Sequence, residues 1–136
     1  MLTNANRLIN KLDELYLLVS QYAIDVICVT ETWLSADIPD SVCDLSGYSL
    51  FRRDRVERTG GGVICYVRSS INSRLLDSPI TNLEGFEVLW VAVRPKILPR
   101  PMSTIIVSVV YCPPWYDVAL KRSLSNYVVS CIDFFT

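Results

Sequence analysis

Residues 25–34 read DVICVTETWL. Val26, Ile27, Cys28 and Val29 make a short, wholly apolar, β-branched run, which reads as a strand buried on both faces. The segment before it, 7–22 (RLINKLDELYLLVSQY), repeats apolar side chains at Leu8, Leu12, Leu15, Val19 and Tyr22. That spacing belongs to an amphipathic helix, and Asn6 stands where an N-cap would. A helix followed closely by a fully apolar strand predicts an α/β unit. Ligands of such sheets lie beyond the carboxyl ends of strands, and Glu31 falls at that position.

Outward from this unit, 48–53 (YSLFRR) and 62–68 (GVICYVR) read as two strands. Thr59-Gly60-Gly61-Gly62 joins them in a loose hairpin. Two more strands follow at 86–94 (FEVLWVAVR) and 103–111 (STIIVSVVY), with Pro95, Pro99 and Pro101 confining their link to a loop. Pro113-Pro114 stops the last strand. Residues 117–135 carry Leu120, Leu124, Tyr127, Val128, Cys131 and Phe135 at helical spacing. The expected order is helix, strand, four mostly antiparallel strands, helix: an α/β arrangement with roughly one sheet and a helix layer.

The chain has 136 residues, 51% of them hydrophobic and 20% charged. It makes one domain at most and has ample apolar surface to offset chain entropy. Its composition includes no histidine. Within these residues that excludes a Ser-His or Cys-His pair, a His-ligated zinc and an imidazole acid or base. The five cysteines are odd in number and widely spaced, with no Cys-x-x-Cys, so neither a disulfide framework nor a zinc ribbon is expected. Cys28 and Cys65 sit in apolar runs and read as small core residues. No secretory signal is visible. No run approaches the ~18 apolar residues of a membrane span. The expected location is intracellular, the nucleus included.

The net charge of −1 hides an asymmetry. Residues 1–46 hold two basic and seven acidic side chains, a net of −5, and residues 47–101 hold nine and five, a net of +4. The basic middle suits either a polyanion or a solvated surface.

Four features are candidates for chemistry. Asn4 immediately precedes the first helix. Glu31 follows the buried strand, where a carboxylate holds a hard cation such as Mg²⁺, caps a turn or pairs with an arginine. Tyr111 ends a strand, as a donor to a phosphate oxygen or as a core-edge aromatic. Arg52, Arg53, Arg55 and Arg58 are placed to contact a phosphate backbone, or form a solvated hairpin tip. Gly60-Gly61-Gly62 opens no helix and precedes no Lys-Ser/Thr, so it is not a P-loop.

Taken in order, TNANRLINKLDEL, DVICVTETWL, GYSLFRRDRVERTGGGVICYVR and VVYCPP resemble the endonuclease/exonuclease/phosphatase domain. More narrowly, they resemble the endonuclease of non-LTR (LINE-type) retrotransposons, which precedes a reverse transcriptase in one polyprotein. The resemblance runs from about Thr3 to Pro114. It implies a four-layer α/β/β/α sandwich that hydrolyses DNA phosphodiesters with a divalent cation, usually Mg²⁺. It also implies that Asn4 is the active-site Asn, Glu31 the metal-binding Glu and Tyr111 the Tyr at the scissile phosphate.

The family's Asn-Ala-Arg-Ser-Leu reads Asn4-Ala5-Asn6-Arg7-Leu8 here. Its later Gly-Asp-Phe-Asn and Ser-Asp-His segments, the second carrying the general-base His, have no counterpart, and Asp133-Phe134 is not assigned to either. The expectation is therefore one incomplete domain over 1–136: a partial sandwich, the N-terminal portion of a DNA endonuclease, inactive alone. An apolar sheet face left without its partner would promote self-association. The alternatives are a non-catalytic remnant that binds nucleic acid or metal, and a phosphatase or phospholipase relative of the same superfamily.

Overall fold

Val26–Thr30 does form a strand at the centre of the N-terminal half, but the molecule around it has two sheets. The structure is a computed structural model describing Met1–Thr136. One sheet has the order β1 (Leu2–Asn4), β2 (Val26–Thr30), β4 (Val63–Arg68), β3 (Tyr48–Arg53). Its β1–β2 pair is parallel and the other pairs are antiparallel. The second sheet is antiparallel throughout, in the order β5 (Asn72–Leu75), β6 (Glu87–Arg94), β7 (Ile105–Tyr111). Three helices complete the chain: α1 (Leu12–Gln21), the short α2 (Asp40–Cys43) and α3 (Val118–Phe135).

Strand alternation builds three apolar layers from these elements. Ile27, Val29, Ile64 and Tyr66 point to one side and pack with Leu8, Leu15 and Val19 of the α1 segment. Val63, Cys65 and Val67 point to the other side and meet Leu89, Val91, Val93 and Val109 of the second sheet. The opposite face of β6 sends Val88 and Trp90 to Leu124, Tyr127 and Cys131 of α3. The result is α/β/β/α. The expected α/β sandwich class is met, and the sheet count is corrected from one to two. β4 and β6 are buried on both faces, so both read as unbroken apolar runs and give no sign of which sheet each joins. The inner sheet face expected to lack a partner is covered, which removes that reason to expect self-association. No helix is long and apolar enough to cross a membrane.

The chain entry into α1 differs from expectation. Asn6 does not cap a helix; it adopts φ 44°, and Arg7 follows at φ 83°. A 3-10 turn over Leu8–Lys11 leads into α1, which has no side-chain cap. At α3 the cap is present: Asp117 accepts the Leu120 N–H at 2.8 Å.

Cys28 and Cys65 face each other across the β2–β4 ladder. A hydrogen bond with Cys65 lowers the Cys28 thiol to about 7, against the effect of burial and with help from the Met1 ammonium. The same pairing, with burial, pushes Cys65 up. In a Cys112→Ser background, iodoacetamide is expected to label Cys28 first, by mass spectrometry, because its thiol is lowered and only half-buried. Equal labelling of the buried Cys43 and Cys131 would contradict this.

Candidate active site

The strand registers bring one set of loops to one end of the sandwich. Asn4 pairs with Thr30, Thr30 and Arg53 both pair with Val63, and Glu87 pairs with Tyr111. The ends of β1, β2, β3 and β7 therefore meet there.

Glu31 is the first residue past β2. Its Oε2 accepts the Trp33 indole N–H at 2.9 Å, and its Oε1 accepts the Tyr111 hydroxyl. The second bond ties the end of one sheet to the end of the other. Asn4 stands beside it at the end of β1, where its Oδ1 accepts the Asn6 N–H at 3.1 Å.

The backbone here is strained. Asn6, Arg7, Glu31 and Trp33 all have positive φ, at 44°, 83°, 59° and 58°, and no other non-glycine residue does. Such conformations cost about 1–3 kcal/mol each and persist only where the surroundings over-determine them. Here the Arg7 N–H donates to Glu31 O at 2.9 Å, Leu8 N–H to Thr32 O at 3.0 Å and Trp33 N–H to Gly61 O at 2.8 Å. The Arg7 guanidinium also lies 5.0 Å from the Trp33 ring centroid. Concentrated strain held by dedicated hydrogen bonds supports a functional reading of this end.

The glycine run serves this geometry. Gly61 and Gly62 have φ of 62° and 85°, and the Gly62 N–H donates to Glu87 Oε1. A Cβ on Gly61 would run into the Glu87 carboxylate and the Arg55 guanidinium. Gly61→Ala is expected to destabilise by at least about 1–3 kcal/mol, read as a shifted urea midpoint. An unshifted midpoint would mean the loop is looser than described.

The four arginines do not act together. Arg52 holds the chain itself: it pairs with Asp54 at 2.6 Å and Asp40 at 3.1 Å, and donates to the Ser35 and Ile38 carbonyls at 2.9 Å. Arg55 pairs with the buried Glu87 at 3.0 Å. Arg53 and Arg58 are exposed. Arg53, Arg55 and Arg58 line a cleft of about 450 Å³ with Trp115 and Tyr116. Burial, then the nearby Glu87, raises the Tyr116 phenol above its ordinary value.

Sequence reading passed over Trp33, Glu87 and Trp115. For Glu87 a signal existed: it is the lone charge in FEVLWVAV, and a charge in a buried strand needs a partner.

Nowhere do three His, Cys, Asp or Glu side chains converge as a ready metal cage. Mg²⁺ does not require one. It usually keeps several waters and binds through one or two carboxylates plus substrate phosphates. Glu31, with one lone pair on each oxygen still unused, fits such an open site.

No protein-family model matches the chain, and no curated protein matches it. Solved structures do. AP endonuclease LMAP from Leishmania major superposes with a TM-score of 0.65 at 19% identity, over 90% of this chain and 42% of that one. The Xenopus laevis APE2 catalytic domain superposes with a TM-score of 0.60 at 21% identity, over 93% of this chain and 48% of that one. The chain thus spans under half the length of either. These likenesses show the fold: a two-sheet α/β sandwich of the kind seen in these two structures.

Proposed function

We propose that the chain is the N-terminal portion of a divalent-cation-dependent DNA endonuclease domain, of the kind found in non-LTR retrotransposon polyproteins. The observation that carries this reading is the Glu31 carboxylate held between Trp33 and Tyr111 where the two sheets meet. Two AP endonucleases among the structural neighbours support DNA as the substrate class. The order of TNANRL, DVICVTETWL, GGGV and VVYCPP supports the retrotransposon assignment.

Glu31 would hold the cation, which when bound polarises a phosphoryl oxygen and stabilises the leaving oxyanion. Trp33 and the strained backbone fix the carboxylate so that it needs no reorganisation on binding. Tyr111 has a single O–H, which here goes to Glu31; it would turn from that carboxylate to donate to a phosphate oxygen brought to it. Asn4 adds an amide donor at the neighbouring strand end. Arg53 and Arg58 supply positive charge along the approach.

These 136 residues hold no histidine, and no other general base is assigned to the site. Loss of a general base costs about 10²–10⁴-fold in rate. The chain is therefore expected to bind DNA without cutting it. A plasmid-nicking assay with Mg²⁺ tests this, with no nicking above background as the expected result. Nicking abolished by Glu31→Ala would overturn the inertness and strengthen the site assignment. Genomic sequence beyond codon 136 is expected to encode Gly-Asp-Phe-Asn, Ser-Asp-His and a reverse transcriptase, intact or decayed; none of these in any frame would contradict the retrotransposon assignment.

A further inference from the structure

The chemistry above takes from Arg58 only its positive charge and leaves its stack on Trp115 unused. Trp115 keeps 54% of its surface exposed. The Arg58 guanidinium lies over its ring, 4.0 Å from the centroid. Tyr116 meets the indole at 4.7 Å and 77°. Tyr116 is itself buried and packs on Phe86, with ring centroids 6.0 Å apart. The indole is thus a flat plate on a fixed mount, covered by one exposed side chain.

Its position relative to Tyr111 is constrained. Cys112, Pro113 and Pro114 separate the two. Four residues reach at most about 14 Å, and each proline fixes its own φ. Bases along one DNA strand rise about 3.4 Å per step, so the backbone positions of Trp115 and Tyr111 lie within about four nucleotide steps of each other. The cleft beside Trp115, about 450 Å³, has room for a base. Its lining carries no excess of positive charge: Arg53, Arg55 and Arg58 stand among Asp54, Glu57, Glu84 and Glu87, with Glu87 paired to Arg55. An aromatic plate with a stacked arginine in a cleft without excess positive charge suits an uncharged ring better than a phosphate track.

We propose that Trp115 and Arg58 form a stacking platform for an unpaired nucleobase next to the phosphate that Tyr111 addresses. The site then favours DNA with an unstacked base over fully paired DNA. This rests on the DNA-endonuclease reading and adds to it a preference in substrate.

The test uses two fluorescently labelled duplexes, identical except for a single-nucleotide bulge, titrated with the full chain and followed by anisotropy. The bulged duplex is expected to bind about tenfold more tightly. Trp115→Ala is expected to lose that preference, while its remaining binding keeps its salt dependence because no phosphate contact is removed. Trp115→Phe, which keeps a ring, is expected to retain part of the preference. Tryptophan emission should be quenched by the bulged duplex in the wild type and not in Trp115→Ala. An absent preference in the wild type, an undiminished one in Trp115→Ala, or an equal loss on both DNAs would overturn the platform. Paired duplex bound without preference sinks the platform alone, whereas no binding of either DNA also sinks the endonuclease reading.

Discussion

Arg55→Met is expected to lower the free energy of unfolding by about 3–5 kcal/mol. The Glu87 side chain is only 5% exposed and Arg55 15%, and they pair at 3.0 Å. Removing the guanidinium leaves a buried carboxylate with the Gly62 N–H as its remaining donor, an uncompensated charge in a poorly solvated place. The damage would spread to the glycine loop, since Gly61 and Gly62 are positioned against this pair. The double variant Arg55→Met/Glu87→Leu removes both charges and is expected to recover much of the loss. Urea unfolding of the two variants checks this. A single-variant loss under about 1 kcal/mol, the range of exposed pairs, would show that the pair is solvated.

Glu31→Gln should weaken binding of Mn²⁺, used as a probe for Mg²⁺, by at least about tenfold in calorimetric titration. Changes in groups that merely orient a ligand already cost 10–100-fold in metal affinity, and this change removes the ligand's charge. The urea midpoint should move little, because glutamine keeps the shape of the side chain and an oxygen that accepts a hydrogen bond. Tyr111→Phe should have a smaller effect on Mn²⁺, since the phenol meets the carboxylate and not the ion. Equal affinity in wild type and Glu31→Gln would remove Glu31 as the cation ligand.

Much of the fold could be read from local pattern. Val26–Thr30, Tyr48–Arg53 and Val118–Phe135 fall within a residue or so of their expected limits, because each has a clear apolar period and a clear stop. The division into two sheets could not be read. Val63–Arg68 and Glu87–Arg94 bury both faces, so the alternation that would show their packing partners is missing. β5, with the sequence NSRL, has too little apolar character to register as a strand; pairing with β6 makes it one.

At the site, the sequence shows Glu31 and Tyr111 as strand-end polar residues and Asn4 as the residue before the first helix, and the structure places Glu31 and Tyr111 in contact. The arginines were visible only as a cluster. Their division into Arg52 bound to the chain, Arg55 buried on Glu87 and Arg53 and Arg58 exposed depends largely on groups remote in sequence: Glu87 for Arg55, and Asp40 and the Ser35 and Ile38 carbonyls for Arg52. Proximity of that sort has no local signature.

The central claim is that this end of the sandwich takes a DNA phosphate at a cation held by Glu31. Its most direct test is an anisotropy titration of paired duplex DNA at about 50 and 200 mM salt, in Mg²⁺ and in EDTA, for wild type and Glu31→Gln. The account predicts binding that weakens with salt, tightens with Mg²⁺ in the wild type and shows no Mg²⁺ gain in Glu31→Gln. Absence of binding at the lower salt, indifference to salt, or the same Mg²⁺ gain in both proteins would contradict it.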